Sequence, residues 1–233
     1  MRQSLTTLIL ALSLTASSAA QGVLDRFLTR EDTPLSDYAA FRRLEARNER
    51  FKVSGWLEAC VDYSAARGLS FRVIGEGGSG YIRGKVLRKA LEGERDMVAR
   101  GDPGRATLSL ANYRIVAEEQ NQLGEAALRL LPRRQDLLLV SGHAVVTDPE
   151  ADLLRVEGRL TKTPSYWTRS VDVTRRYERH AGVRVPVELV STADVRLAGR
   201  SHFRTWYEYL TINGTPLSPP PDSRALSCLV TQN

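Results

Sequence analysis

The sequence predicts an α+β fold in which a strongly curved antiparallel sheet is covered by helices on its concave face. Three observations predict it. Apolar and polar residues alternate with period two along most of the chain between residues 51 and 212. Short turns with Gly, Pro, Asp and Ser separate these runs, as in an antiparallel meander. Two further stretches repeat apolar residues at helical spacing, each with the single stripe needed to cover one sheet face.

The first twenty residues have the three parts of a bacterial secretory signal. Arg2 is the positive region, Leu5 to Leu14 the apolar region, and Ala16-Ser17-Ser18-Ala19-Ala20 the small residues of a cleavage site near Ala20. A membrane span needs about 20 apolar residues, and this run has half of that. No cysteine follows it, so no lipobox is present. The expectation is a mature chain in the periplasm (or secreted), without a transmembrane segment. Residues 21–215 form one domain and 216–233 a Pro-rich tail, because Pro219-Pro220-Pro221 cannot donate to a sheet.

At 42% hydrophobic and 26% charged residues, the composition is that of an ordinary globular protein. The net charge is +6, with 33 lysines and arginines of which only four are lysine. Export argues against nucleic acid as a partner. What remains is an attraction to anionic surfaces such as lipid headgroups or cell-wall polymers.

Residues 21–50 read as helical, with Ser36-Asp37 as a cap and Tyr38, Phe41 and Leu44 at helical spacing. Phe51 to Tyr63 and Leu69 to Val73 alternate as a β-hairpin around Ala66-Arg67-Gly68, and Gly75 to Gly80 reads as a glycine-rich turn. A helix follows over residues 81–99, with Ile82, Val86, Ala90 and Met97 near one face. Strands are then expected at 107–110, 113–119, 137–147, 153–161, 167–179, 183–191, 193–198 and 201–212; residues 120–134 fit either a short helix or a strand. In the later strands Trp167, Val171, Val173, Val185, Val187, Leu189, Phe203, Tyr207 and Tyr209 fall on the apolar face, and these are the candidate lining of an apolar cavity. Packed side chains would equally fill that space.

Catalytic and metal signals are weak. Gly75-Glu76-Gly77-Gly78-Ser79-Gly80 satisfies G-x-G-x-x-G, but follows a hairpin rather than a βαβ strand, so a flexible turn is the better reading. His143, His180 and His202 are not spaced as ligands, and neither G-x-S-x-G nor S-x-x-K occurs. The expectation is a protein that is not an enzyme and takes no cofactor or metal. Cys60 and Cys228 are an even pair in an oxidising compartment and are expected to bridge, tying the tail onto the first strand.

The second half resembles a known family. Leu154-Arg155-Val156-Glu157-Gly158-Arg159-Leu160, Ser165-Tyr166-Trp167, Val185-Pro186, Gly199 and Trp206-Tyr207-Glu208-Tyr209 follow the order of landmarks in the LolA/LolB-like lipoprotein-sorting superfamily, in a less characterised branch. The resemblance covers roughly residues 106–212. It implies an incomplete antiparallel β-barrel lidded by helices. It also implies a carrier sheltering the acyl chains of a lipid or lipoprotein, with a membrane-bound donor or acceptor protein as partner. No local motif shows which arginine would gate such a cavity, and the missing lipobox favours a soluble carrier. The rival reading is a structural or sensory protein-interaction module on the same fold.

Overall fold

The computed structural model describes residues 21–101, 103–120, 124–217 and 224–228. The signal segment 1–20 and most of the Pro-rich tail lie outside these residues. Residues 21–29 form helix α1. The strands are β1 (Asp37–Asn48), β2 (Val53–Ser64), β3 (Gly68–Gly78), β4 (Tyr113–Gln120), β5 (Glu125–Pro132), β6 (Val140–Thr147), β7 (Leu153–Leu160), β8 (Thr168–His180), β9 (Val183–Val195), β10 (Gly199–Ile212) and β11 (Thr215–Pro216). Between β3 and β4 lie α2 (Gly80–Ile82), a π-helical segment Arg83–Leu87 and α3 (Arg88–Ala99). One antiparallel sheet runs β3-β2-β1-β10-β9-β8-β7-β6-β5-β4, with β11 paired to β10, and it is not closed. The architecture is a curved antiparallel sheet of the α+β class, as the alternation predicts, left open as the incomplete barrel that the resemblance implies.

Both helical layers lie on one face of the sheet. Ile82, Leu87 and Leu91 pack with Leu44, Leu57, Val61, Val185 and Ile212 in one core. Val23, Leu24 and Phe27 of α1 pack with Leu128, Ala144, Val146 and Val156 in a second core. Cross-strand registers place these strand residues on the same, inner face.

The expected helix over 36–50 is instead β1, an interior strand between β2 and β10. Its residues are buried on both faces, Tyr38, Ala40, Leu44 and Ala46 inward and Ala39 and Phe41 outward. A strand covered on both sides loses its polar alternation, and chance spacing then mimics a helix. The helix at 81–99 is present, but its buried stripe is Ile82, Leu87 and Leu91, while Met97 is exposed. The π-helical segment adds one residue to a turn, which moves the stripe from Val86 and Ala90 to Leu87 and Leu91.

Other boundaries differ too. The strand expected at 107–110 is turn structure, 120–134 contains strand β5, and the runs at 183–191 and 193–198 form the single strand β9. The expected turn at Gly75–Gly80 is mostly the end of β3. Its glycines have a packing cause: a Cβ on Gly77 would fall 2.6 Å from Trp56 Nε1, and one on Gly75 3.3 Å from the same indole. The G-x-G-x-x-G pattern thus marks where the Trp56 ring lies flat on β3.

The outer face is held by a polar cluster and the disulfide. Cys60 and Cys228 are bridged across 168 residues, so the tail is fixed to the strand that carries Cys60, as expected; that strand is β2. Buried Glu58 accepts hydrogen bonds from Arg43 (2.6 Å) and from Arg224 of the tail (2.7 Å). Arg43 also lies against the rings of Trp56 and Trp206. These two tryptophans therefore belong to the outer face and not to an inner apolar pocket.

One network ties α1's exit to the sheet. Arg179 donates to Asp152 (2.8 and 2.9 Å) and to Asp32 (2.7 Å), and Arg184 pairs with Asp32 at 2.6 Å. The hydrogen bond from Arg179 holds the Asp152 carboxyl below its ordinary value. A depressed carboxyl stabilises the fold above its unfolded pKa, about 3.9, and that contribution fades as pH falls through the folded value. Asp152→Asn should therefore cost about 1–2 kcal/mol at neutral pH, allowing for partial exposure. The gap between wild type and variant should close on acidification below pH 4 in urea titrations at several pH values. A gap that stays constant across this range would refute the assignment.

Candidate functional site

Small side chains are aligned across the inner face. One cross-strand row runs Gly78, Gly55, Ala46, Phe203, Ser191, Val173, Gly158, Gly142, Leu130 and Ile115, from one sheet edge to the other. Six of these ten are Gly, Ala or Ser. Ile82 covers Gly55 at one side. Across β10, β9, β8, β7 and β6 only Phe203 and Val173 contribute large side chains. The next row, Thr205, Leu189, Arg175, Val156 and Ala144, borders it. Val173, Leu189 and Phe203 are only partly buried although they sit on the covered face between the two cores. This row of small residues, with the partly buried Val173, Leu189 and Phe203 in and beside it, is the candidate apolar trough.

Charged and aromatic groups stand at its inner end. Arg42 of β1 is 3% exposed, pairs with Glu94 of α3 at 2.7 Å and lies 4.1 Å from the Tyr207 ring centroid. Its Nε is buried without a partner. Burial alone would lower the Arg42 pKa, but Tyr207 and Glu94 hold it above its ordinary value. Burial pushes the Tyr207 hydroxyl up to about 12. Arg175 of β8 faces the same region. Tyr177, through charge and a hydrogen bond, and then Tyr207 and Glu94 raise its pKa, and its side chain keeps exposed surface. Tyr207 stacks on Tyr209, which meets Tyr38 edge-on. Cationic and aromatic side chains thus stand beside the small-residue row.

The residues expected from the sequence to line a cavity divide into three groups. Val173 and Leu189 lie in or beside the candidate trough, as do Phe203 and Tyr207, which also pack against the first core; Val171 is buried in the next row towards the turns. Val185 and Tyr209 are buried in the first core, and Val187 packs against it. Trp167 stands apart, in the turn before β8, where it is exposed and meets Tyr166 edge-on. Sequence reasoning missed Arg42, Arg175, Glu94 and the small-residue row. Arg42 was hidden inside the helical reading of β1. The row joins positions that only strand register aligns.

The outer face has a separate polar groove of about 750 Å3, lined by residues such as Glu49, Asp172, Thr192, Arg200 and His202. His202 contacts Glu49 through Nε2 (2.6 Å) and Thr192 through Nδ1 (3.1 Å). Its Arg159 and Asp172 pair with each other. Among the described residues no three His, Cys, Asp or Glu side chains are grouped to hold a metal ion, and no helix is long and apolar enough to cross a membrane.

No family model matches the chain, and no curated protein matches it. Among solved structures it is similar to a LolA superfamily protein from Nitrosomonas europaea, at 11% identity and a TM-score of 0.37, over 88% of this chain and 96% of that one. It is similar at the same identity and TM-score to a DUF1329 family protein from Desulfovibrio piger, over 83% of this chain and 91% of the other.

Proposed function

We propose that the protein is a non-catalytic carrier that shelters acyl chains of a lipid or lipoprotein in the inner trough, working outside the cytoplasm. The observation that carries this reading is the strip of partly exposed Val173, Leu189 and Phe203, aligned with small residues on the sheet face that carries both cores. Apolar side chains left part-wet beneath a covered face gain most from an apolar guest. A 16-carbon chain offers roughly 12 kcal/mol gross at about 0.8 kcal/mol per CH2, so even partial burial supports binding. The Cys60–Cys228 bridge supports an oxidising compartment, in keeping with the signal-like first twenty residues.

Organic extraction of purified protein followed by mass spectrometry should recover lipid, or the emptied protein should take up a fluorescent fatty acid. Ser191→Phe fills the small-residue row and should weaken uptake at least about tenfold while leaving the fold intact by circular dichroism. Absence of both bound lipid and uptake would overturn the carrier reading.

A further inference from the structure

The exposed apolar side chains of this protein are not scattered. Among the described residues, the large hydrophobics that are more than half exposed are Phe51, Tyr81, Leu110, Tyr166, Trp167 and Leu197. Strand register puts all six at one end of the sheet. Phe51 lies in the β1–β2 turn, and Asn48 pairs with Ser201 beside the β9–β10 turn that carries Leu197. Thr168, which follows Tyr166 and Trp167, pairs with Val195 at that same end. Tyr81 follows β3, whose last residue Gly78 pairs with Gly55, two residues into β2. Leu110 precedes Tyr113, which pairs with Pro132 at the end of β5. Scattered exposed apolar residues need no explanation, but six gathered on one rim do.

The charge is gathered on the same rim. The connecting segments at this end (49–52, 79–81, 103–112, 133–139, 161–167 and 196–198) hold seven arginines and lysines and two carboxylates, Glu49 and Asp136. Both carboxylates are occupied, Glu49 by His202 and Asp136 by Arg105 and Arg134. Arg50, Lys52, Lys162 and Arg196 make no ion pair among the described residues, and Arg196 lies over the Tyr166 ring. At the opposite end, the segments 30–36, 65–67, 148–152, 181–182 and 213–214 hold five carboxylates and two arginines, and none of the exposed large hydrophobics. Three of those five, Asp32, Asp148 and Asp152, pair with Arg26, Arg179 and Arg184 of neighbouring elements, so the far end is close to balanced and the basic aromatic character is confined to one rim.

We propose that the basic aromatic rim docks on an anionic lipid surface. Aromatic and leucine tips on separate turns reach into the headgroup region, while the surrounding cations meet lipid phosphates. Phe203, Ser191 and Val173 lie towards this rim, and the buried Tyr209 and Val185 towards the other, so the small-residue row lies on the bilayer side of the first core. The inference stands on where exposed side chains and charge fall. It deepens the carrier reading by naming the surface at which cargo is exchanged.

The test is co-sedimentation of the purified protein with vesicles of phosphatidylcholine alone and with 30% phosphatidylglycerol, with Trp fluorescence as a second readout. The expected results are preferential binding to the anionic vesicles, loss of that preference in high salt, and a blue shift that Trp167→Ala removes. The triple variant Tyr166→Ser, Trp167→Ser, Leu197→Ser changes only exposed turn residues, and it should bind at least about tenfold more weakly. Equal binding by the triple variant would overturn the proposal, as would failure to bind anionic vesicles. Concentration-dependent dimerisation lost in the triple variant would overturn it in favour of a second copy as the occupant. Fatty-acid uptake in detergent-free solution is measured in parallel. If uptake persists without vesicle binding, docking fails and the carrier reading stands; binding without uptake gives the reverse.

Discussion

Alanine at Gly142 or Gly158 is expected to cost about 3 kcal/mol or more of folding stability, enough to lower the melting temperature by roughly 6–12 °C. The two glycines face each other on β6 and β7. A Cβ on Gly142 would fall 2.1 Å from Glu157 O and 2.6 Å from Gly158 Cα, and a Cβ on Gly158 would fall 2.3 Å from Ser141 O. These are backbone atoms of a paired strand, so no rotamer change relieves the contact. Gly158 also has φ of 149°, which a side chain disfavours. A second cross-strand pair, Gly55 and Gly78, makes the same close approach between β2 and β3. Such pairs let strands close in and the sheet bend around its helices. Gly93→Ala is the matching control. That glycine is exposed on α3 with open space where a Cβ would stand, so alanine should stabilise by about 0.5–1 kcal/mol. Thermal or urea unfolding of the three variants decides the matter, and tolerance of alanine at Gly142 would refute the close approach.

Reduction of the Cys60–Cys228 bridge, or Cys228→Ser, should cost about 3–5 kcal/mol, the upper figure being the loop-entropy value for so long a loop. The tail would then be released from the outer face. Ala225 and Cys228 would leave the small core they form with Ala39, Phe41, Cys60 and Leu210. Glu58, which is buried, would keep Arg43 but lose Arg224. Differential scanning calorimetry with and without reductant measures the effect, and a melting shift under about 2 °C would show that the tail contributes little. The trough lies on the other sheet face, so fatty-acid uptake by the reduced protein should persist below its lowered melting temperature.

Much of the inner face was legible from alternation. Val171 and Val173, Leu189, and Phe203 and Tyr207 were assigned to one apolar face of consecutive strands, and register confirms that they share it. The even cysteine count gave the disulfide. The misreadings share a cause, which is that a local pattern reports burial and not pairing. β1 looked helical because both its faces are covered. The helix stripe was displaced because one π turn shifts everything after it. The glycine-rich segment looked like a turn because the Trp56 ring that requires those glycines comes from the neighbouring strand.

The sequence by itself determined a meander of antiparallel strands, an inner apolar face and a covalent tie across the chain, because period-two alternation, turn residues and paired cysteines are local or countable properties. The tertiary structure alone decided which residues stand together along a row or at an end. The small-residue row draws on strands from β1 to β10, and the basic aromatic rim on six connecting segments spread over some 150 residues. Alternation fixes which face a side chain takes, but the offset between paired strands, set by turns and bulges, fixes its neighbours. For this protein the trough and the rim are properties of that offset.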